Sequence, residues 1–227
     1  MVREVTARDG PAAVVREVTA RDGPAFFDPP GPPAGMTDTR VVAICGSLRD
    51  ESYTRKALAV AVDEAERAGA DTDLLDLREF DLPVYDADAD DAGDAGRLRE
   101  RVAAADSVVL GTPVYHASYS SVLKTALDYC GFDEFENTTV GLLCVAGGGF
   151  PITSLDHLRS VCRSLNAWVI PHQAALPKAR TKFDGGALVD DGDDERVRTL
   201  GRRAVEYANI EPDPACLESR ENVGATD

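Results

Sequence analysis

Three short segments of the chain collect residues whose types and spacing could do chemistry. The first, Gly46-Ser47-Leu48-Arg49-Asp50-Glu51-Ser52-Tyr53-Thr54, follows an apolar run and opens a helical pattern. Gly46 permits a tight turn. Ser47, Ser52 and Thr54 offer hydroxyl donors, and the free amides of a helix start attract anions. Arg49 adds a charge-assisted contact, and Arg55 and Lys56 would raise the local potential. Such a spot suits a terminal phosphate, while Ser52 read alone is also an ordinary helix N-cap. The segment is neither a Walker-type phosphate loop nor a glycine-rich dinucleotide fingerprint. The second segment, Gly111-Thr112-Pro113-Val114-Tyr115-His116-Ala117-Ser118-Tyr119-Ser120, has a stiffening proline followed by two flat side chains. It could border a planar ring, or simply be a loop with a half-buried tyrosine and a hydrogen-bonding histidine. The third, Ala146-Gly147-Gly148-Gly149-Phe150, would let backbone lie close against a ligand, or serve as a flexible connection.

The elements that must position these segments alternate between strand and helix. Apolar runs over residues 40–45, 72–76, 107–111, 139–146 and 168–170 are too short for helices and read as strands. Helical spacing covers about 52–68, 96–105, 121–129, 152–165 and 195–208, with Gly69 placed to end the first helix. The strands are apolar almost throughout, as expected of a parallel sheet buried on both faces. Five strands with right-handed crossovers predict a three-layer α/β sandwich of order 2-1-3-4-5. In such a sheet ligands bind beyond the C-terminal strand ends, and the three unusual segments all follow strands there.

Composition narrows the function classes. Forty acidic against 24 basic residues give a formal net charge of −16. That field repels nucleic acids and anionic membranes. The acidic excess is spread along the chain and reads as adaptation to high salt, with an ordinary acidic protein as the alternative. No apolar run approaches the ~18 residues of a membrane span and no signal-peptide pattern is seen, so a cytoplasmic protein is expected. The five cysteines form no metal-type or redox-type pair, and Cys45 and Cys144 fall inside strands, predicting buried reduced thiols. Residues 2–12 recur as residues 15–25, ahead of a Pro-rich linker and Met36. Residues 1–36 are expected to be a disordered, dispensable extension, 37–210 the folded domain, and 211–227 an acidic flexible tail.

Taken together, GSLRDESYTRKAL, TPVYHASYSSVLKTALDY and VAGGGF with the later AWVIP resemble the NAD(P)H-dependent FMN reductases of the flavodoxin-like superfamily over about residues 40–175. The resemblance implies FMN as cofactor and NADPH or NADH as reductant. It places Ser47, Arg49, Ser52, Tyr53 and Thr54 at the FMN phosphate. Pro113, Val114, Tyr115 and His116 would border the isoalloxazine, and Gly147 and Gly148 would close its other side. It also implies a small-molecule electron acceptor such as a flavin, quinone, azo dye or chromate, and a homodimer or homotetramer; Tyr119 and the third helix are candidate interface elements, with burial in the core the equal alternative for that helix. The flavin carries the hydride, so no dedicated catalytic side chain is assigned, though His116 could give a proton to the acceptor. Relatives often carry Pro-Glu-Tyr-Asn where this chain has Pro113-Val114-Tyr115-His116, which alters the side chains offered to substrate. A flavodoxin-like electron carrier and a flavin-free interaction module are the competing readings.

Overall fold

The computed structural model describes residues 39–208. The expected disordered extension 1–36, the acidic tail 211–227 and Cys216 lie outside the described residues. Within them the chain runs β1 (Arg40–Cys45), α1 (Tyr53–Arg67), β2 (Asp71–Asp76), α2 (Ala95–Ala103), β3 (Ser107–Pro113), α3 (Ser121–Asp128), α4 (Phe132–Phe135), β4 (Thr139–Val145), α5 (Ile152–Ser164), β5 (Trp168–Leu176), β6 (Phe183–Asp184), β7 (Ala187–Leu188) and α6 (Asp191–Glu206). The first five strands form one sheet in the order β2-β1-β3-β4-β5, every pair parallel. This is the flavodoxin-like arrangement expected from the sequence.

The apolar strands are needed because both faces are covered. In β1, Val41, Ala43 and Cys45 pack towards α1 and α6, while Val42 and Ile44 pack towards the helices of the opposite face. The same alternation sends Val109 one way and Val108 and Leu110 the other. Period-two geometry thus splits a continuous hydrophobic run between two cores. On one face Ala57, Leu58, Ala61 and Ala65 of α1 meet Val197, Leu200 and Ala204 of α6. On the other, Leu98, Leu123, Phe135, Leu155 and Leu158 come from α2, α3, α4 and α5.

Helix ends follow their local chemistry. Ala70 N–H donates to Ala65 O (3.1 Å), Gly69 N–H to Glu66 O (2.9 Å), and Gly69 has φ +96°. That pair of bonds is a Schellman ending, and it uses Gly69 as the sequence indicated. Helix α6 starts at Asp191, four residues before the expected start, because Asp190 caps it by accepting from Asp193 N–H at 2.9 Å. Asp191, Asp193 and Asp194 fill its first turn, where carboxylates suit the helix dipole. Glu64 then bridges α1 to α6 through Arg198 (3.2 Å) and Arg202 (2.9 Å).

The main correction concerns the fifth strand, which continues through Pro171 to Leu176 instead of stopping at Ile170. It lies at the sheet edge, where a missing N–H is tolerated. The register shifts between Val140 and Leu142, whose partners are Val169 and Gln173, so the proline sits in a bulge and pairing resumes beyond it. The short α4 and the β6–β7 hairpin also lay outside the sequence expectation. Among the described residues no helix is long and apolar enough to cross a membrane.

Candidate functional site

At the C-terminal end of the sheet the three segments converge on one cleft of about 230 Å³. Its walls include Ser47, Arg49, Tyr53 and Thr54 from the β1–α1 turn and Pro113, Val114 and Tyr115 from the β3 end. Val145 and Gly147 come from the β4 end, and Ala179 and Arg180 from the turn after β5. The cleft therefore sits where strand order reverses between β1 and β3, the usual ligand position in open α/β sheets.

The first wall is built by the start of α1. Ser52 is the N-cap: its hydroxyl accepts from Arg55 N–H at 3.1 Å, and its carbonyl accepts from Lys56 N–H at 3.1 Å. The helix itself leaves the amides of Tyr53 and Thr54 unused, and both residues line the cleft. Ser52 does not line it; its side chain serves the helix. Arg55 and Lys56 are also turned to structural use. Arg55 pairs with Asp76 (3.1 Å) and Lys56 with Glu51 (2.7 Å).

Asp76, whose side chain is 8% exposed, is the fastening point beneath this turn. It accepts from Arg55 and from the Arg78 amide and guanidinium, and Arg78 also reaches Asp50 (3.1 Å). Burial alone would raise the Asp76 pKa, but the Arg78 and Arg55 hydrogen bonds outweigh it and hold the carboxyl below its usual value. A carboxyl lowered in the folded state adds stability that is fully present above its unfolded pKa of ~3.9 and is lost as pH falls through the folded value. Asp76→Asn is therefore expected to cost about 2 kcal/mol at neutral pH and to flatten the acid side of the melting-temperature profile below pH ~4. Thermal melts from pH 7 to pH 3 check this, and parallel wild-type and variant profiles would contradict it.

The second wall is joined to the first by Ser120, and to the third by Val114 N–H donating to Val145 O at 2.9 Å. The Ser120 hydroxyl donates to Gly46 O (2.6 Å) and accepts from Leu123 N–H (3.2 Å). Its own N–H donates to Thr112 Oγ1 at 2.9 Å. Beyond Pro113, Tyr115 and Ser118 exchange backbone hydrogen bonds of 2.9 and 3.0 Å. The central residues of that turn, His116 and Ala117, have φ of 49° and 64°, the type I′ pattern that favours Asn-Gly. The turn is braced from α5, where Thr153 Oγ1 donates to Ala117 O (2.7 Å) and His157 Nδ1 lies 3.0 Å from Ser118 Oγ. His116 is at the exposed tip and does not line the cleft. Ala117→Gly is expected to relieve left-handed strain and stabilise the protein by about 0.5–1 kcal/mol. A melting temperature equal to or below wild type would count against that strain.

Gly147, Gly148 and Gly149 face open space, since a Cβ at any of them would meet nothing within 4 Å. The protein's own packing does not require glycine there, which leaves both readings of the segment, close backbone approach to a ligand and a flexible connection. Gly147 lines the cleft, whereas Gly148 lends its carbonyl to Lys178 N–H at 2.9 Å. The four described cysteines are free and buried. Burial raises the Cys45 thiol and pushes Cys144 up to about 12, so neither is a nucleophile at neutral pH. Among the described residues no cluster of His, Cys, Asp and Glu is placed to hold a metal.

Ala179 and Arg180 lay outside the sequence reading. A signal existed: Lys178, Arg180 and Lys182 put three cations within five residues of an acidic chain. Ending the fifth strand at Ile170, before the proline, hid their position over the sheet end. The donor set of the cleft fits FMN: Arg49, hydroxyls and helix-start amides suit a phosphate, and a proline-tyrosine rim with a bare glycine loop suits a flat ring.

Comparison with known proteins gives a consistent set of likenesses. The sequence model of the family described as NADPH-dependent FMN reductase matches residues 39–181. An FMN-dependent NADPH-azoreductase of Staphylococcus haemolyticus is 35% identical over 178 residues, covering 74% of this chain and 95% of that protein. The enzyme of the same description from Staphylococcus aureus is 31% identical over 181 residues, with 74% and 95% covered. Among solved structures, the apo form of an NADH:FMN oxidoreductase (EMOB) aligns with a TM-score of 0.64 at 21% identity, covering 77% of this chain and 92% of that one. The NAD(P)H:(acceptor) oxidoreductase FerB from Paracoccus denitrificans aligns at 0.63 and 22%, with 75% and 97% covered. At those identities the structures speak for the fold alone.

Proposed function

The chain belongs to the NADPH-dependent FMN reductase family, and from that premise we propose that the cleft at the sheet end holds FMN and is where NAD(P)H and an electron acceptor take turns. The chain is an NAD(P)H-dependent flavin oxidoreductase, which family membership favours over an electron carrier or a flavin-free module. The observation that carries the site assignment is the convergence of Ser47, Arg49, Tyr53, Thr54, Pro113, Val114, Tyr115 and Gly147 on one cleft. Residues 37–210 supply all of them, so the extension 1–36 is dispensable for binding in this account.

Bound FMN supplies reversible two-electron chemistry between the nicotinamide nucleotide and the acceptor. The protein's part is positional. Ser47, Arg49 and the Tyr53 and Thr54 amides hold the phosphate, and Ser120 fixes their turn relative to the ring side. Pro113, Val114 and Tyr115 border the ring, and Gly147 lets backbone approach it. His116, exposed at the turn tip, is the residue placed to meet an incoming acceptor rather than the flavin. The relatives' described activity makes an azo compound the first acceptor to test, with quinones and free flavin beside it.

Leu48, Tyr115 and Phe150 on the loops after β1, β3 and β4, and Ile152 at the start of α5, are exposed large hydrophobics. A second copy of the chain would cover them, which supports a homo-oligomer; sedimentation as a monomer at micromolar concentration would contradict this. The absence of a spanning helix among the described residues and the use of NAD(P)H suit work in the cytoplasm. The functional test is anaerobic: NADPH should bleach the FMN-loaded protein, and a quinone or azo dye added afterwards should restore the oxidised spectrum. A flavin that stays oxidised under NADPH and NADH would overturn the reductase site.

A further inference from the structure

We propose that Arg180 is a second phosphate-binding cation of the cleft, acting with Arg49 so that the site selects a flavin that carries a phosphate. The proposal rests on the FMN reading above. In a chain with 40 acidic residues, arginines readily find carboxylates. Nine of the fifteen described arginines do so, Arg55 and Arg78 beneath the β1–α1 turn among them, whereas Arg159, Arg163, Arg196 and Arg203, away from the cleft, reach none; what sets Arg49 and Arg180 apart is that both face one cavity. Among the described residues the two arginines that line the cleft, Arg49 and Arg180, make no ion pair. Two guanidinium groups left without carboxylates around one cavity call for an anionic ligand, and guanidinium matches phosphate in both charge and donor geometry.

The turn that carries Arg180 is anchored on each side. Lys178 takes a left-handed conformation, φ 54° and ψ 43°, which swings the chain back over the β4 end. Lys178 N–H donates to Gly148 O and Ala179 N–H to Ala146 O, both at 2.9 Å. The turn is thereby stitched to the glycine loop. On the far side Lys182 pairs with Asp193 of α6. Phe183 stacks on Tyr53, another cleft residue, with ring centroids 5.1 Å apart and planes 20° apart. The backbone at Arg180 is thus fixed relative to the start of α1, and its exposed side chain is free to take up an anion.

Flavin-fluorescence titration of the full-length apoprotein with FMN and with riboflavin tests this, using wild type, Arg180→Gln and Arg180→Lys. Loss of one charge-assisted phosphate contact predicts a Kd for FMN about 10- to 30-fold weaker in Arg180→Gln. Riboflavin affinity and melting temperature should not change, and Arg180→Lys should recover part of the loss. Equal weakening towards both flavins would overturn the proposal in favour of a structural role, and so would no change towards either. If FMN binding holds while the NADPH-over-NADH preference in kcat/KM falls, Arg180 serves the nucleotide's 2′-phosphate and the proposal is wrong about its ligand. Wild type that takes up neither flavin would overturn the FMN reading and this proposal with it.

Discussion

Gly46→Ala is expected to weaken FMN binding by about 30- to 150-fold, the equivalent of roughly 2–3 kcal/mol. Gly46 is the residue where β1 turns into the phosphate-side wall. Its N–H donates to Gly111 O at 2.8 Å and its carbonyl accepts from the Ser120 hydroxyl at 2.6 Å. A Cβ placed there would lie 2.7 Å from Leu123 Cβ, 3.0 Å from Ser120 Oγ and 3.1 Å from Gly111 O. Two of those three neighbours are the groups that hold the turn, so relief moves Ser47 and Arg49 away from the ring side. Leu123 is fully buried in α3 and cannot swing aside. The signature is a large rise in the FMN Kd with a smaller fall in melting temperature. An FMN Kd within threefold of wild type would show that this turn does not set the phosphate position.

Gly201→Ala is expected to destabilise the fold by about 3 kcal/mol, lowering the melting temperature by roughly 6–12 °C. Helix α6 crosses α1 with Gly201 against the backbone of Ala61. An added Cβ would overlap the Ala61 carbonyl oxygen, lying 2.9 Å from its carbonyl carbon and 3.2 Å from its Cα. These are backbone atoms within a 15-residue helix, so the helices must separate. Separation would loosen Leu58, Ala61, Val197 and Leu200 and stretch the Glu64 bridges to Arg198 and Arg202. Because α1 also carries the phosphate wall at its N-terminus, FMN should partly rescue the loss by binding the native state. A melting temperature within 2 °C of wild type would contradict so close a crossing.

The fold was legible because its main signals are local and strong. Short, nearly continuous apolar strands, helices with one apolar face and Gly69 at a helix end each point to the same sheet. The three loops were legible because a serine-arginine turn, a proline-tyrosine turn and a triple glycine are unlike ordinary connections. What escaped reading depended on long-range placement. Pro171 marks a strand end in sequence, but an edge strand with a bulge absorbs it, and that misplaced everything up to Arg180. Ser52, Arg55 and Lys56 have the residue types of a phosphate site, yet capping and the carboxylates of Asp76 and Glu51 employ them elsewhere. No local pattern tells an arginine that meets a ligand from one that meets a carboxylate 21 residues away. Ser120 escaped because its role, tying two loops together, is defined only once both loops are in place.

The most direct measurement is a crystal structure of the protein grown with FMN. The phosphate should lie within hydrogen-bond distance of the Ser47 and Thr54 hydroxyls and between the Arg49 and Arg180 guanidinium groups, with the ring against Pro113, Tyr115 and Gly147. Flavin bound with its phosphate away from the β1–α1 turn, or bound outside this cleft, would contradict the account.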